Sequence, residues 1–317
     1  MRTITALFVG LGSIGTRHLK NLANLCADRC WTLQADALRS DLTRPLRPGA
    51  AELLHAQYTD LAAAPAHYDM VFITNPTSLH AEALRQVKGR GKALFIEKPI
   101  FSAEQTGLAL DELLPAGQKA YVAAPMRWCG AMLALKDRLP ALHPYCARVI
   151  CSSYLPDWRP GVDYRTVYSA RKALGGGVTI DLIHEWDYLV ELFGVPEKLY
   201  NFKGTYSELE IDSDDLSVYI AKYPTLLAEV HLDYFGRGYR RSIELFCRDG
   251  SYLADFGKGT LTLPDGTVQH YEEDVNRRYE REMEYFVDYA LTGCGESCNP
   301  PALALKVLKL TLGENVQ

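Results

Sequence analysis

A chain of 317 residues is long enough for about two domains of ordinary size. With 48% hydrophobic and 23% charged residues it has the composition of a globular protein with material for two cores. A formal charge of -5 argues against a protein built chiefly to grip nucleic acid, and no apolar stretch has the length of a membrane span.

The first predicted element is a strand over Ile4–Val9, an apolar run that fits one buried strand. Gly10-Leu11-Gly12-Ser13-Ile14-Gly15 follows directly, and then a helix with Ile14, Leu19, Leu22, Leu25 and Cys26 on one face. A G-x-G-x-x-G carries meaning only where a strand turns into a helix, as it does here. Gly10 permits the tight turn, Gly12 lets the backbone approach a pyrophosphate, and Gly15 lets the helix pack close to the strand. Ser13 and Ile14 open that helix, where unpaired N–H groups and the positive dipole end face the phosphates. Met1–Gly12 is not read as a signal peptide, because its apolar stretch is short, lacks a small-residue cleavage site and runs into the glycine turn.

A second strand is predicted over Trp31–Leu38, and its end decides the cofactor. Asp36 lies at the distance from Gly15 where an acid holds a ribose 2′-hydroxyl. If the strand continues through Leu38, Arg39 and Ser40 stand at the tip instead, and the arginine favours a 2′-phosphate. One of the two charges is otherwise a solvated loop residue; the reading leans to Arg39 and NADP.

Further along, Asp60–Ala64 reads as helical, Met70–Thr74 as strand, Ser78–Val87 as helix, Ala93–Ile96 as strand, Ala103–Leu114 as helix and Lys119–Ala123 as strand. Such alternation predicts a parallel sheet covered on both faces, with the ligand beyond the carboxyl ends of its strands. At that edge Asn75, Pro76 and Thr77, with His80 one turn into the next helix, are candidates to meet the ribose and nicotinamide. Glu97-Lys98-Pro99 ends the following strand. A Glu-Lys pair is ordinarily a surface ion pair, but facing a cofactor cleft it becomes a catalytic candidate, with Pro99 restricting the backbone of Lys98.

From about Cys146 the pattern changes. A strand over Ala147–Tyr154 leads into an irregular stretch, Leu155–Gly177, and a helix over Thr179–Phe193. Strands are then predicted over Lys198–Thr205, Leu216–Lys222, Leu226–Tyr234, Arg241–Cys247 and Ser251–Asp255, joined by short turns, which indicates an antiparallel α+β second domain. Tyr279, Met283, Phe286, Val287 and Ala290 share one helix face, and a last helix covers Ala302–Leu312. The expected domains are residues 1–123 and 124–317, with the final helix free to pack back on the first. Eight cysteines, Cys26, Cys30, Cys129, Cys146, Cys151, Cys247, Cys294 and Cys298, show no C-x-x-C pair and no neighbouring histidine that completes a zinc pattern. Free thiols, no metal and a cytoplasmic location are expected.

Taken together, the glycine turn, His18, Thr74–Thr77 with His80, Glu97-Lys98-Pro99 and Gly175–Asp187 (GGGVTIDLIHEWD) resemble the glucose–fructose oxidoreductase / inositol dehydrogenase / rhizopine-catabolism family, Gfo/Idh/MocA, over nearly the whole chain. The resemblance implies an α/β Rossmann N-terminal domain plus an α+β C-terminal domain with an open, predominantly antiparallel sheet that carries the substrate and a homodimer or homotetramer interface. It matches Lys98 to the lysine that contacts the reacting hydroxyl, and Asp181 and His184 to the later acid and base pair. The family leaves three residues between that Asp and His, whereas Asp181 and His184 have two. His184 keeps the usual spacing to Asp187, so support for His184 falls to Asp181 or to Glu185. Arg127 in Met126-Arg127-Trp128 resembles the family's arginine near the nicotinamide.

Oxidising a secondary alcohol needs a base for the hydroxyl proton while hydride leaves, a task that suits the pKa of a histidine. A nearby lysine stabilises the developing alkoxide. The plain alternative for His184 is a helix residue satisfied by a core hydrogen bond. In the irregular stretch, Trp158 or Tyr164 can stack on a sugar ring, while Arg159, Arg165, Arg171 or Lys172 can bind a carboxylate or phosphate. Alternatively these aromatics pack on the sheet and the charges pair with acids of the same domain. The expectation is an NAD(P)-dependent dehydrogenase or reductase of a sugar, sugar acid or nucleotide sugar, with no nucleic-acid or membrane partner. A redox-assisted epimerase or eliminase that retains NAD is the second reading, and a cofactor-sensing regulatory protein without turnover the third. That third case should have lost Lys98 or His184.

Overall fold

The computed structural model describes residues 2–292 and 295–316. The chain divides into two compact units, Met1–Pro125 with Tyr279–Leu305, and Met126–Arg278 with Lys306–Gln317.

In the first unit the chain runs through β1 (Thr3–Val9), α1 (Ser13–Asp28), β2 (Thr32–Leu38), β3 (Leu54–Tyr58), β4 (Tyr68–Ile73), α2 (His80–Gln86), β5 (Gly91–Ile96), α3 (Leu110–Leu113) and β6 (Lys119–Val122). The six strands pair in parallel in the order β3-β2-β1-β4-β5-β6. Unbroken apolar runs such as Met70–Ile73 are buried throughout, as strands covered on both faces require. The order reverses between β1 and β4, so a crevice opens beyond the carboxyl ends of these two strands, where the Gly10 turn and Thr74 lie.

Three expectations for this unit are corrected. Strand β3 was not foreseen, because Leu-His-Ala-Gln-Tyr at a sheet edge is too polar and half-exposed to stand out. The helix expected over Ala103–Leu114 is broken into a 3-10 turn, Ala103–Gln105, and the short α3. Gly107 lies in the gap, and glycine in a helix interior costs about 1 kcal/mol relative to alanine. Asp60–Ala64 forms only a 3-10 turn, its Asp60 carboxylate accepting the Ala62 N–H at 2.9 Å.

The second unit contains α4 (Gly130–Arg138), β7 (Cys146–Tyr154), α5 (Val178–Asp181), α6 (His184–Phe193), β8 (Lys198–Gly204), β9 (Leu216–Lys222), β10 (Leu227–Asp233), β11 (Phe235–Cys247), β12 (Gly250–Asp255), β13 (Thr260–Thr262) and β14 (Val268–His270). Its sheet has the order β14-β13-β12-β11-β7-β10-β9-β8, and every neighbouring pair is antiparallel except β7 with β10. The helix expected over Thr179–Phe193 is two helices, α5 and α6, separated at Leu182, which leaves helical geometry at φ -98, ψ 34.

Helices α7 (Val275–Thr292) and α8 (Pro301–Thr311) each contribute to both units. From Tyr279 onward α7 belongs to the first unit, where Phe286 meets Phe72 and Phe95 edge-on at 5.5 and 5.1 Å, and Phe8 stacks on Phe72 at 4.4 Å. From Lys306 onward α8 belongs to the second, where the Tyr219 hydroxyl donates to the Thr311 carbonyl at 2.6 Å. No described helix is long and apolar enough to cross a membrane. The described cysteines are free thiols; Cys294 lies outside the described residues.

Candidate active site

In the first unit the three glycines of the turn do different work. Gly10 has φ +84, and a Cβ there would lie 2.7 Å from the Asn75 Cα. A Cβ on Gly15 would lie 2.7 Å from Thr74 Oγ1 and 2.8 Å from the Gly10 carbonyl oxygen, so α1 can approach the sheet only with glycine at this position. Thr74 Oγ1 donates to that same carbonyl at 2.6 Å, tying the end of β4 to the turn. Gly12 is the opposite case: nothing lies within 4 Å of an added Cβ. It forms the N-terminal boundary of α1, with Ser13 and Ile14 behind it and no capping side chain on the first-turn N–H groups. The buried Asn75 Oδ1 has no hydrogen-bond partner. An open glycine, an uncapped helix end and an unpartnered acceptor at the switch point fit a nicotinamide dinucleotide.

The two candidates at the end of β2 differ sharply. Asp36 is buried inside the unit, accepting from the Tyr68 hydroxyl at 2.8 Å and from His55 Nδ1 at 3.2 Å. Burial and this carboxylate push the Tyr68 hydroxyl far up, so it stays a donor. The strand runs through Leu38, which leaves Arg39 and exposed Ser40 at the tip. Arg39 is oriented there by Gln57 Oε1 at 2.7 Å and the Arg44 carbonyl at 2.5 Å.

After β4, exposed Pro76 starts a 3-10 turn over Thr77–Leu79. His80 was expected to touch the cofactor, but it is buried, with Nδ1 3.1 Å from the Ile100 carbonyl and Nε2 3.0 Å from that of Asn75. Burial lowers its pKa despite these carbonyls and the charge of Glu97, and the ring, held between the two carbonyls, braces the Asn75 loop. Glu97 is likewise turned inward, its Oε1 2.5 Å from Nε2 of buried His18. Burial alone would raise the Glu97 carboxyl, yet His18 and Lys98 hold it below the usual carboxylate range. Its Oε2 accepts the Lys98 N–H at 3.1 Å, fixing the backbone that carries the half-buried Lys98 side chain ahead of a cis Lys98-Pro99 peptide.

In the second unit Gly176 and Gly177 of the Gly175-Gly176-Gly177 triplet thread a gap too narrow for side chains. A Cβ on Gly176 would lie 2.1 Å from the Tyr168 carbonyl oxygen, and one on Gly177 2.3 Å from Asp214 Oδ1. Asp214 then takes the Thr179 N–H at 2.9 Å and its hydroxyl, anchoring α5. At the end of α5, Asp181 Oδ2 accepts from the Tyr234 hydroxyl at 2.5 Å. Half-buried His184 opens α6.

The alternative support for His184 is committed elsewhere. Fully buried Glu185 accepts from Arg241 Nε at 2.7 Å and Nη2 at 3.0 Å. Arg241→Met strands the Glu185 carboxylate, so we expect a loss of about 3–5 kcal/mol in urea unfolding. A loss under about 1 kcal/mol, the range of exposed pairs, would show that the pair does not anchor α6.

Arg127, expected near the nicotinamide, is also corrected. It is buried, and its Nε and Nη2 donate to Asp187 at 2.9 and 2.8 Å while Nη1 donates to Glu191 at 2.6 Å, so the guanidinium is consumed in holding α6. In the loop, Trp158 donates from Nε1 to Ser153 Oγ at 3.0 Å and meets Tyr234 edge-on at 5.2 Å, yet stays 39% exposed and keeps part of its ring open. The Tyr164 hydroxyl accepts the Glu210 N–H at 3.2 Å. Arg165 was expected to grip an anion; instead Asp163 and Glu210 both pair with it at 2.9 Å, and two carboxylates leave its charge no excess to offer. Tyr68, Tyr234 and Arg241 were not foreseen, since each reaches its partner from a segment distant in sequence.

Residues 4–123 match the family described as oxidoreductase family, NAD-binding Rossmann fold (GFO_IDH_MocA). Over 308 residues the chain is 24% identical to the uncharacterized oxidoreductase YrbE of Bacillus subtilis (strain 168), covering 90% of this chain and 86% of that protein. It is 27% identical over 200 residues to inositol 2-dehydrogenase of Rhizobium meliloti (strain 1021), covering 61% and 56%. An oxidoreductase from Agrobacterium radiobacter, solved in complex with NAD+, L-tartaric acid and magnesium, shares the fold at a TM-score of 0.80, with 17% identity over 98% of this chain and 95% of that one. Fold and glycine turn define an oxidoreductase with an NAD-binding Rossmann fold. Over residues 4–123 the chain is similar to the Gfo/Idh/MocA oxidoreductase family.

Proposed function

We propose that this oxidoreductase transfers hydride between NAD(P) and a secondary hydroxyl or ketone of a sugar or sugar derivative, with NADP preferred. The observation that carries this reading is the open Gly12 face at an uncapped helix end, with Arg39 at the neighbouring strand tip and Asp36 turned away. The bound dinucleotide supplies the hydride donor or acceptor. His184 exchanges the hydroxyl proton, Asp181 supports it, and the Lys98 ammonium stabilises charge on the reacting oxygen. Trp158 offers an aromatic wall to a sugar ring. The inositol 2-dehydrogenase relative and the tartaric acid complex support a polyhydroxylated substrate. A cytoplasmic homodimer or homotetramer belongs to the same reading.

Arg39→Ala tests the cofactor preference. Only NADPH presents a 2′-phosphate, and hydrogen bonds to charged groups contribute about 1.5–3 kcal/mol. NADPH affinity should therefore fall roughly ten- to a hundredfold in a fluorescence titration, with NADH little changed. Equal losses for the two dinucleotides would overturn the preference.

A further inference from the structure

In the second unit Asp181 and Tyr234 are both tied to one short segment of backbone. The Asp214 carbonyl accepts the Val178 N–H at 2.9 Å and its carboxylate accepts the Thr179 N–H at 2.9 Å, which fixes α5, the helix that ends at Asp181. The next residue, fully buried Asp215, accepts the Tyr234 N–H on its carbonyl at 2.9 Å. The Tyr234 carbonyl in turn accepts the Leu155 N–H at 2.9 Å. The distance between acid and tyrosine is therefore set by hydrogen-bonded backbone on both sides.

Tyr234 uses that placement in two directions. Its wholly buried ring meets Trp158 edge-on at 5.2 Å, and its hydroxyl donates to Asp181 Oδ2 at 2.5 Å. Burial, and then the charge of Asp181, push the hydroxyl far above its ordinary range, so it stays a donor. Among the described residues no second hydrogen bond reaches the Asp181 carboxylate, so Oδ1 stays open. A hydrogen bond donated to a carboxylate is roughly twice as strong as one between neutral groups. It holds Asp181 in one rotamer, with one oxygen bonded and the other presented.

We propose that Tyr234 is a positioning residue for hydride transfer, acting through Asp181 to keep His184 in the orientation that exchanges the substrate hydroxyl proton. The inference rests on the roles of Asp181 and His184 given under the proposed function. A carboxylate that supports a histidine fixes the tautomer and direction of the imidazole, and it does so only if it is itself held. Misplacement of a reacting group by about 1 Å costs on the order of 10² in rate. The same ring backs Trp158, so the aromatic wall and the supporting acid share one brace.

Steady-state kinetics of the full chain, with a sugar that the parent turns over, test the proposal. Tyr234→Phe removes the hydroxyl and keeps the ring against Trp158. Its kcat should fall about tenfold or more, the size of a lost hydrogen bond to a charged group. KM and NADPH affinity should stay within about twofold, because the effect falls on the chemical step. In Asp181→Ala, where the carboxylate is already gone, adding Tyr234→Phe should change kcat by less than about twofold. Tyr219→Phe is the matched control: it takes an equally buried hydroxyl from the Thr311 carbonyl of the same unit, and should lower Tm without changing kcat. Parent-like kcat in Tyr234→Phe overturns the proposal. So does a loss that recurs in full in the Asp181→Ala background, which would mean that Tyr234 acts by another route. An equal loss of kcat in Tyr219→Phe overturns it too, as the mark of a merely structural effect. Failure of the underlying reading shows separately, as an Asp181→Ala variant that keeps the parent kcat.

Discussion

Gly12→Val is expected to abolish binding of both NADH and NADPH while leaving thermal unfolding unchanged. At φ -77 the Gly12 backbone suits any residue, and nothing lies within 4 Å of an added Cβ, so the fold has room for the valine. The space it fills is the one the pyrophosphate needs. Gly10 and Gly15 supply the contrast. A side chain at either meets atoms 2.7 to 2.9 Å away, including the Asn75 backbone and the Gly10 carbonyl, and Gly10 has φ +84. Gly10→Val and Gly15→Val should therefore lower the Tm, which Gly12→Val should not. Nicotinamide fluorescence titration with differential scanning fluorimetry separates the two outcomes. Parent-like affinity in Gly12→Val would remove the cofactor from this turn.

Lys98→Met and His184→Ala are each expected to lose about 10²–10⁴ in kcat while retaining NAD(P)H binding. Methionine keeps the length of the Lys98 side chain and leaves the backbone N–H bonded to Glu97 Oε2. His184 stands at the start of α6, whose anchoring falls to Glu185 with Arg241 and to Asp187 with Arg127, so alanine there spares both ion pairs. Steady-state turnover alongside dinucleotide titration reads the two effects apart. Near-parent kcat in either variant would withdraw that residue from the chemistry.

The dinucleotide turn was legible because its parts are contiguous: a strand, three glycines and a helix within Thr3–Asp28. The end of β2 at Leu38 was also legible, but the direction of Asp36 was not, because a tyrosine 32 positions downstream turns that acid inward. The spacing of Asp181 and His184 could be counted, but the break between α5 and α6 at Leu182 carries no glycine or proline to mark it. Within the irregular stretch, Arg159, Arg165, Arg171 and Lys172 read as able to grip an anion, a reading made from that segment alone. It missed Glu210 and Asp212, which lie outside the segment and pair with Arg165 and Arg171.

The most direct test of the oxidoreductase account is absorbance at 340 nm of the protein with NAD+ or NADP+ and a panel of sugars, cyclitols and sugar acids, run in parallel on Lys98→Met. The expected result is appearance of reduced nicotinamide with at least one substrate in the parent, faster with NADP+ than with NAD+, and its loss in the variant. Parent and Lys98→Met traces that coincide across the panel would contradict the account.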